Sequence, residues 1–184
     1  MYQLIIYGPP GVGKGTQAEM LAEKLNLEHI STGAILRKAF EDGTELGKKA
    51  KEIMDRGDLV TDEIMNGIVK ESLSKIDKNG FILDGYPRTL EQGIALTKIF
   101  EELKFTNIKV INLRADENEI INRLIKRGRS DDTRETIAYR LKVYFDATFP
   151  VKEYYDKKKL SIEIDGVGEI EEINKLILKE LVND

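Results

Sequence analysis

An α/β fold, with a parallel sheet covered by helices on both faces, is the architecture this sequence predicts, and three observations predict it. First, short apolar and β-branched runs recur along the chain: Tyr2–Tyr7, Leu27–Ile30, Phe81–Leu83, Ile108–Leu113 and Leu160–Ile164. Each is nearly continuous rather than alternating, as a strand buried on both faces must be. Second, longer stretches with helical spacing lie between the runs, at 16–25, 90–103, 117–127, 134–155 and 169–181. Strands alternating with helices make parallel sheets. Third, the first strand runs directly into a glycine-rich turn that opens a helix, and such sheets hold their ligands beyond the carboxyl ends of their strands. That rule gathers the turn after Tyr7, the residues after Ile30, Asp84 and the residues after Leu113 around one crevice.

The glycine-rich turn is Gly8-Pro9-Pro10-Gly11-Val12-Gly13-Lys14-Gly15-Thr16. Gly8, Gly13 and Lys14 fit the spacing G-x-x-x-x-G-K of a phosphate-binding loop. Gly15 stands where a Ser or Thr usually follows the lysine, and the hydroxyl comes one place later, at Thr16. Glycines let the backbone curl so that successive N–H groups point at one phosphate; the helix N-terminus adds partial positive charge and Lys14 a full one. A tight turn with an incidental lysine is the bland alternative. Strand, lysine, hydroxyl and helix in this order point instead to a bound nucleoside triphosphate.

Two stretches depart from simple alternation. Residues 31–60 carry two short helical patterns broken at Asp42-Gly43-Thr44 and ended at Arg56-Gly57-Asp58, a helical insert after the second strand. Residues 127–133 form a polar break between helices, Arg127-Gly128-Arg129-Ser130-Asp131-Asp132-Thr133. Thr133 to Thr136 has the look of a helix cap, while two arginines flanking a glycine suit a mobile phosphate-gripping flap. Between these stretches, Phe81-Ile82-Leu83-Asp84 ends a strand in a carboxylate. Asp84 either caps the following turn or lies near a metal ion on the phosphates. Arg88, four residues on, offers a fork of donors that suits a phosphate. The single histidine, His29, belongs to the second strand rather than to the chemistry.

Composition narrows the functional classes. The chain has 184 residues, 41% hydrophobic and 34% charged, with a net charge of −4, the profile of one globular domain. Lys157-Lys158-Lys159 is too short for a nucleic-acid patch and reads as the end of a helix. With no cysteine, disulfides, thiolate nucleophiles and cysteine zinc sites are excluded. No apolar run approaches membrane length and no signal peptide precedes the first strand, so a cytoplasmic protein is expected.

These motifs together resemble those of the adenylate kinases, and the resemblance covers essentially the whole chain. The loop from Gly8 to Thr16 is similar to that family's phosphate loop, including the Gly15-Thr16 displacement. Ser31-Thr32-Gly33 with Arg37 resembles the start of its monophosphate-binding insert, and Gly57-Asp58-Leu59-Val60 its close. Asp84-Gly85-Tyr86-Pro87-Arg88-Thr89 followed by Gln92 resembles the family signature. Arg123, Arg127, Arg129 and Arg140 fall where the family carries its lid arginines, and Asp165-Gly166-Val167-Gly168 resembles its adenine-contacting segment.

The resemblance implies a P-loop three-layer fold with a five-stranded parallel sheet, and one domain over 1–184. The core would take 1–30, 61–126 and 138–184, the monophosphate-binding insert 31–60 and a short lid 127–137. It implies that Gly11, Val12, Gly13, Lys14, Gly15, Thr16, Arg123, Arg127 and Gly168 hold ATP. Thr32, Arg37, Asp58, Leu59, Val60, Gly85, Tyr86, Pro87, Arg88 and Gln92 would hold AMP, together with Arg129 and Arg140. Lys14, Arg88, Arg129 and Arg140 would be catalytic, and Asp84 would orient Mg2+ through water. ATP, AMP and ADP are the implied partners of a cytoplasmic monomer, with no zinc, nucleic acid or membrane. The elementary chemistry agrees, because phosphoryl transfer asks for in-line positioning and cations rather than covalent help. A UMP/CMP kinase of the same fold is the nearest rival, with Thr32 and Gln92 as discriminators. A regulatory ATPase or switch is a more distant one, and it lacks support from any N-K-x-D motif.

Overall fold

The computed structural model describes residues 1–129 and 132–183. Among them five strands, β1 (Tyr2–Tyr7), β2 (Glu28–Ser31), β3 (Gly80–Asp84), β4 (Ile108–Arg114) and β5 (Ser161–Asp165), pair in parallel in the order β2-β3-β1-β4-β5. Alternate residues face opposite ways, and both faces are covered. Leu4, Ile6, Ile82, Ile111, Leu113 and Ile164 pack against α1 (Lys14–Leu25) and α9 (Ile170–Asn183). Ile5, Tyr7, Ile30, Phe81, Leu83 and Val110 pack against α4 (Asp62–Ser74), α5 (Leu90–Glu102) and α8 (Phe149–Lys157). A strand with apolar partners on both sides has no position to spare for water, hence the unbroken runs in the sequence. The result is the three-layer α/β fold expected of a P-loop kinase.

The register positions the site. Ile6 pairs with Asp84 and Ser31 also pairs with Asp84, so β1, β2 and β3 end level. The segments that follow them emerge side by side above the sheet. After β2 come α2 (Thr32–Glu41) and α3 (Glu45–Asp55), broken at 42–44 as the sequence predicts. Their backbones approach closely at Gly47, where a Cβ would lie 2.2 Å from the Ala39 carbonyl carbon. The Thr44 side chain accepts from the Gly47 N–H at 3.0 Å and caps α3. The polar break likewise separates α6 (Glu117–Arg127) from α7 (Arg134–Val143). Gly128 ends α6 in the left-handed region at φ 65 and Thr133 caps α7. Ser130 and Asp131 of the expected lid lie outside the described residues, as does Asp184.

Three expectations need correction. The helix after the phosphate loop begins at Lys14, two residues before Thr16. The second and fifth strands sit one residue later than the apolar runs alone indicate, because hydrogen-bond register, not hydropathy, sets a strand's ends. The stretch 134–155 is not one helix either. A π-helical turn at Tyr144–Thr148 separates α7 from α8, which carries a proline in its first turn. Pro150 has no N–H and its ring would crowd the carbonyl four residues back in a regular helix; the wider turn relieves both problems. It also buries Thr148, whose hydroxyl donates to the Arg88 carbonyl at 2.9 Å.

Candidate active site

Between β1 and α1 the loop from Gly8 to Thr16 owes its course to its glycines. Gly8 has φ 137, and a Cβ there would lie 2.5 Å from the Leu113 carbonyl oxygen, so no larger residue passes that point. Gly13 serves the opposite purpose. At φ 105, with nothing within 4 Å of a Cβ position, it leaves its backbone open to a ligand. Lys14 folds back over the loop, donating to the Gly8 and Pro9 carbonyls at 2.8 Å each. Burial pulls its ammonium down to about 8; Asp84 offsets part of this, and the positive charges of Arg88 and Arg127 add to it. A cation held this way exchanges backbone carbonyls for a phosphate at little cost.

Asp84 ends β3 beside the loop. Ser31 donates to its Oδ2 at 3.4 Å, and His29 Nε2 stands 3.8 Å away, beyond hydrogen-bond reach. Burial acts to raise its pKa, but His29, Lys14 and Arg88 outweigh burial and hold the carboxyl below its usual range. A lone ionised carboxylate at this point fits a hard cation that takes its remaining ligands from phosphate oxygens and water. Among the described residues no group of three or more His, Cys, Asp and Glu side chains is placed to hold a metal ion.

Above the loop opens a crevice of about 730 Å³. Lys14, Arg37, Arg88, Arg123, Arg127, Arg129 and Arg140 line it, against the acidic Glu19, Asp58, Asp84 and Glu169. The cations sense one another: Arg140 and Arg37 act on Arg88 as like charges. Such an excess calls for an anion. Gly11, Val12, Gly13, Gly15, Thr16 and Gly168 line the same crevice, so the residues predicted for ATP are brought together. Arg123 is already engaged, donating to the Val12 carbonyl at 3.2 Å and the Gly166 carbonyl at 2.8 Å, and so ties the phosphate loop to the segment before α9. The residues just after Leu113 are not brought in: Arg114 is still paired with Asp165 in the sheet, and its side chain pairs with Glu163 at 3.1 Å.

The residues predicted for AMP divide between this crevice and a smaller cleft of about 40 Å³ that opens beside it. Arg37, Asp58, Leu59, Gly85, Tyr86, Pro87 and Arg88 line the crevice; Thr32, Val60 and Gln92 line the cleft. Thr32 is buried and donates to the Gly85 carbonyl at 3.1 Å. Gly85 has φ 81, and a Cβ there would lie 2.9 Å from the Thr32 hydroxyl and 3.1 Å from Arg88 Nη2, so the turn after Asp84 needs glycine. Tyr86 and Pro87 act through structure: the Tyr86 hydroxyl donates to Asn66 Oδ1 at 2.5 Å and the Pro87 carbonyl accepts from Tyr7 at 2.7 Å.

The far wall comes from α7. Arg140 donates to the Met54 carbonyl at 3.0 Å, and Tyr139 donates to Asp58 Oδ1 at 2.8 Å, so the helix after the polar break reaches the end of α3 across the crevice. Asp132, its carboxylate shielded from solvent, takes two hydrogen bonds from Arg127, at 2.7 and 2.9 Å, and pairs with Arg140 at 3.2 Å. From the sequence Asp132 is only a neighbour for Arg129; the structure makes it a stand-in anion for Arg127 and Arg140. Tyr139 and Asp62 carry no spacing signal, since Tyr139 donates to Asp58 and Asp62 accepts from Thr89 and Gln92, all distant in sequence.

Comparison with known proteins matches this geometry. The family model described as adenylate kinase covers residues 6–160. The adenylate kinase of Leptospira biflexa serovar Patoc (strain Patoc 1 / Ames) is 47% identical over 186 aligned positions, spanning 98% of this chain and all of that protein. Those of Thermobifida fusca (strain YX) and Methanothrix thermoacetophila are 46% and 45% identical, each alignment covering 97% of both chains. A cation-lined crevice over a phosphate loop, and relatives matched from end to end, lead to one family: the chain is a member of the adenylate kinases.

Proposed function

We propose that the chain transfers the γ-phosphoryl group of ATP reversibly to AMP, giving two ADP. One observation carries this: seven cationic residues line a single crevice together with the phosphate loop and the Arg37–Gly85–Arg88 group, and Thr32 lines the smaller cleft beside it. Two sets of anion-gripping groups at one crevice fit two nucleotides.

On this reading the backbone from Gly11 to Thr16 and Lys14 hold the ATP phosphates, with Arg127 reaching them and Arg123 and Gly168 beside the adenine. Arg37 and Arg88 grip the AMP phosphate, while Thr32, Gly85, Gln92 and the 58–60 backbone surround its base. Arg88, Arg129 and Arg140 then converge on the group in flight, where forked donors stabilise charge spread over its oxygens. No side chain need move a proton for the transfer itself; positioning and charge carry it. Asp84 would hold Mg2+ through water, and the ion when bound would neutralise charge on the β- and γ-phosphates.

The helical pair within 31–60 and the break at 127–137 serve as the two closing parts, over a core of 1–30, 61–126 and 138–184. Each lines the crevice, the pair through Arg37 and the break through Arg127 and Arg129, and α7, just past the break, meets the 31–60 segment through Arg140 and Tyr139. The same reading makes the protein a cytoplasmic monomer acting on soluble nucleotides.

The test is a coupled assay with ATP against AMP, UMP, CMP and GMP. AMP should be preferred by a wide margin, ~10⁴-fold over bases that leave buried polar groups unpaired. Phosphorylation of CMP or UMP at the rate of AMP would contradict the reading and favour a pyrimidine nucleotide kinase.

A further inference from the structure

Gln92 is buried, 1% exposed, yet it lines the smaller cleft. A glutamine amide is ambiguous: rotated by half a turn it exchanges an acceptor for a donor. Here two partners remove the ambiguity. The Arg88 backbone N–H, which can only donate, meets Gln92 Oε1 at 2.7 Å. The Asp62 carboxylate, which when ionised can only accept, meets Gln92 Nε2 at 2.7 Å. Thr89 fixes Asp62 in turn, donating to its other oxygen at 3.1 Å while accepting from the Gln92 backbone N–H at 3.1 Å. Every hydrogen bond in the set has one allowed direction.

We propose that Asp62 is a specificity-determining positioning residue: by fixing the orientation of the Gln92 amide it makes the base site read a 6-amino purine and reject a 6-oxo purine. This deepens the assignment of AMP as acceptor and rests on it. The protein uses one N–H and one lone pair of the amide, leaving one of each for a ligand. Adenine answers with a bare N1 and an N6–H. A 6-oxo purine presents N1–H and O6, the reverse pattern, and needs the amide turned over. Turning it would set Oε1 against the Asp62 carboxylate and Nε2 against the Arg88 N–H, two unmatched contacts in a buried place. Uracil shows the oxo pattern too. Cytosine shows the amino pattern, so its smaller size, not this clamp, must exclude it.

The experiment compares AMP with inosine monophosphate, a purine of the same shape and opposite pattern, in wild type and Asp62→Asn. An asparagine can donate to a flipped Gln92 carbonyl where the carboxylate cannot. In wild type kcat/KM should favour AMP by roughly 10³-fold or more. In Asp62→Asn that ratio should narrow by about ten- to a hundredfold, through a raised KM for AMP and a gain on inosine monophosphate relative to AMP. A residue that merely held the fold would lower both substrates together. Asp62→Ser removes the carboxylate without replacing it and gives the same readout should the asparagine variant not fold. A ratio unchanged in a folded variant overturns the role of Asp62 and leaves AMP as acceptor standing. A wild type that ignores AMP overturns the functional assignment itself.

Discussion

Lys14 shows how much of the chemistry is decided by single side chains. Its ammonium sits among carbonyls and like charges, and burial holds it down at about 8 against an ordinary value of 10.5. Binding polyphosphate favours the charged form, so ATP affinity should fall as pH rises through about 8, approaching tenfold per unit once the ammonium is lost. Stability moves the other way over the same range. The unfolded chain holds the extra proton between about 8 and 10.5, so Lys14 adds stability as pH rises through that window and costs stability in full below it. Equilibrium titration with ATP between about pH 7 and 9.5 checks the first effect; a flat dissociation constant would show that Lys14 does not meet the phosphates. The roles at this scale were partly legible in the sequence. Glycine spacing and a following lysine announce a phosphate loop because backbone geometry demands them. Asp62 announces nothing, because it works by accepting hydrogen bonds from residues that only folding brings near, and Asp132 sits among local arginines without showing which of them it holds.

Elements were legible where one force dominated. Strands buried on both faces gave continuous apolar runs, and the cap expected at Thr133 accepts from the N–H three residues on; Thr44, Thr89 and Asp116, which were not expected caps, cap their helices in the same way. The π-helical turn before Pro150 was not legible, since its cause is a single missing N–H and its effect appears only in the helix that must accommodate it. The α2–α3 pair depends on close approach at Gly47, where a Cβ would meet the backbone of Ala39 and Phe40 at 2.2 Å. Backbone cannot step aside as a flexible side chain does, so the two helices must separate to admit a methyl group. Gly47→Ala should therefore destabilise the protein by about 1–3 kcal/mol, lowering the melting temperature by several degrees for a chain of this size. It should also raise KM for AMP, because α2 and α3 carry Arg37 and Met54 to the crevice. A melting temperature and a KM both unchanged would show that the pair tolerates wider spacing and does not shape the monophosphate end.

At the scale of the whole molecule, the sheet supplies a level platform and the two excursions from it meet above the crevice. The contacts of Arg140 with Met54 and of Tyr139 with Asp58 join a helix from the second half of the chain to one from the first. Phosphoryl transfer between two nucleotides requires that the crevice accept both and keep water from the group in flight. The order of strands and helices foretold the platform. The meeting of α7 with α3 was not foretold, because nothing in either segment names its partner. The central claim, transfer between two nucleotides in one crevice, is tested most directly by giving the protein ADP and Mg2+ alone and following all species by phosphorus NMR. Transfer predicts ATP and AMP appearing in equal amounts as ADP falls, with inorganic phosphate negligible on the same time scale. ADP that stays unchanged, or that disappears into AMP and inorganic phosphate without ATP, would contradict it.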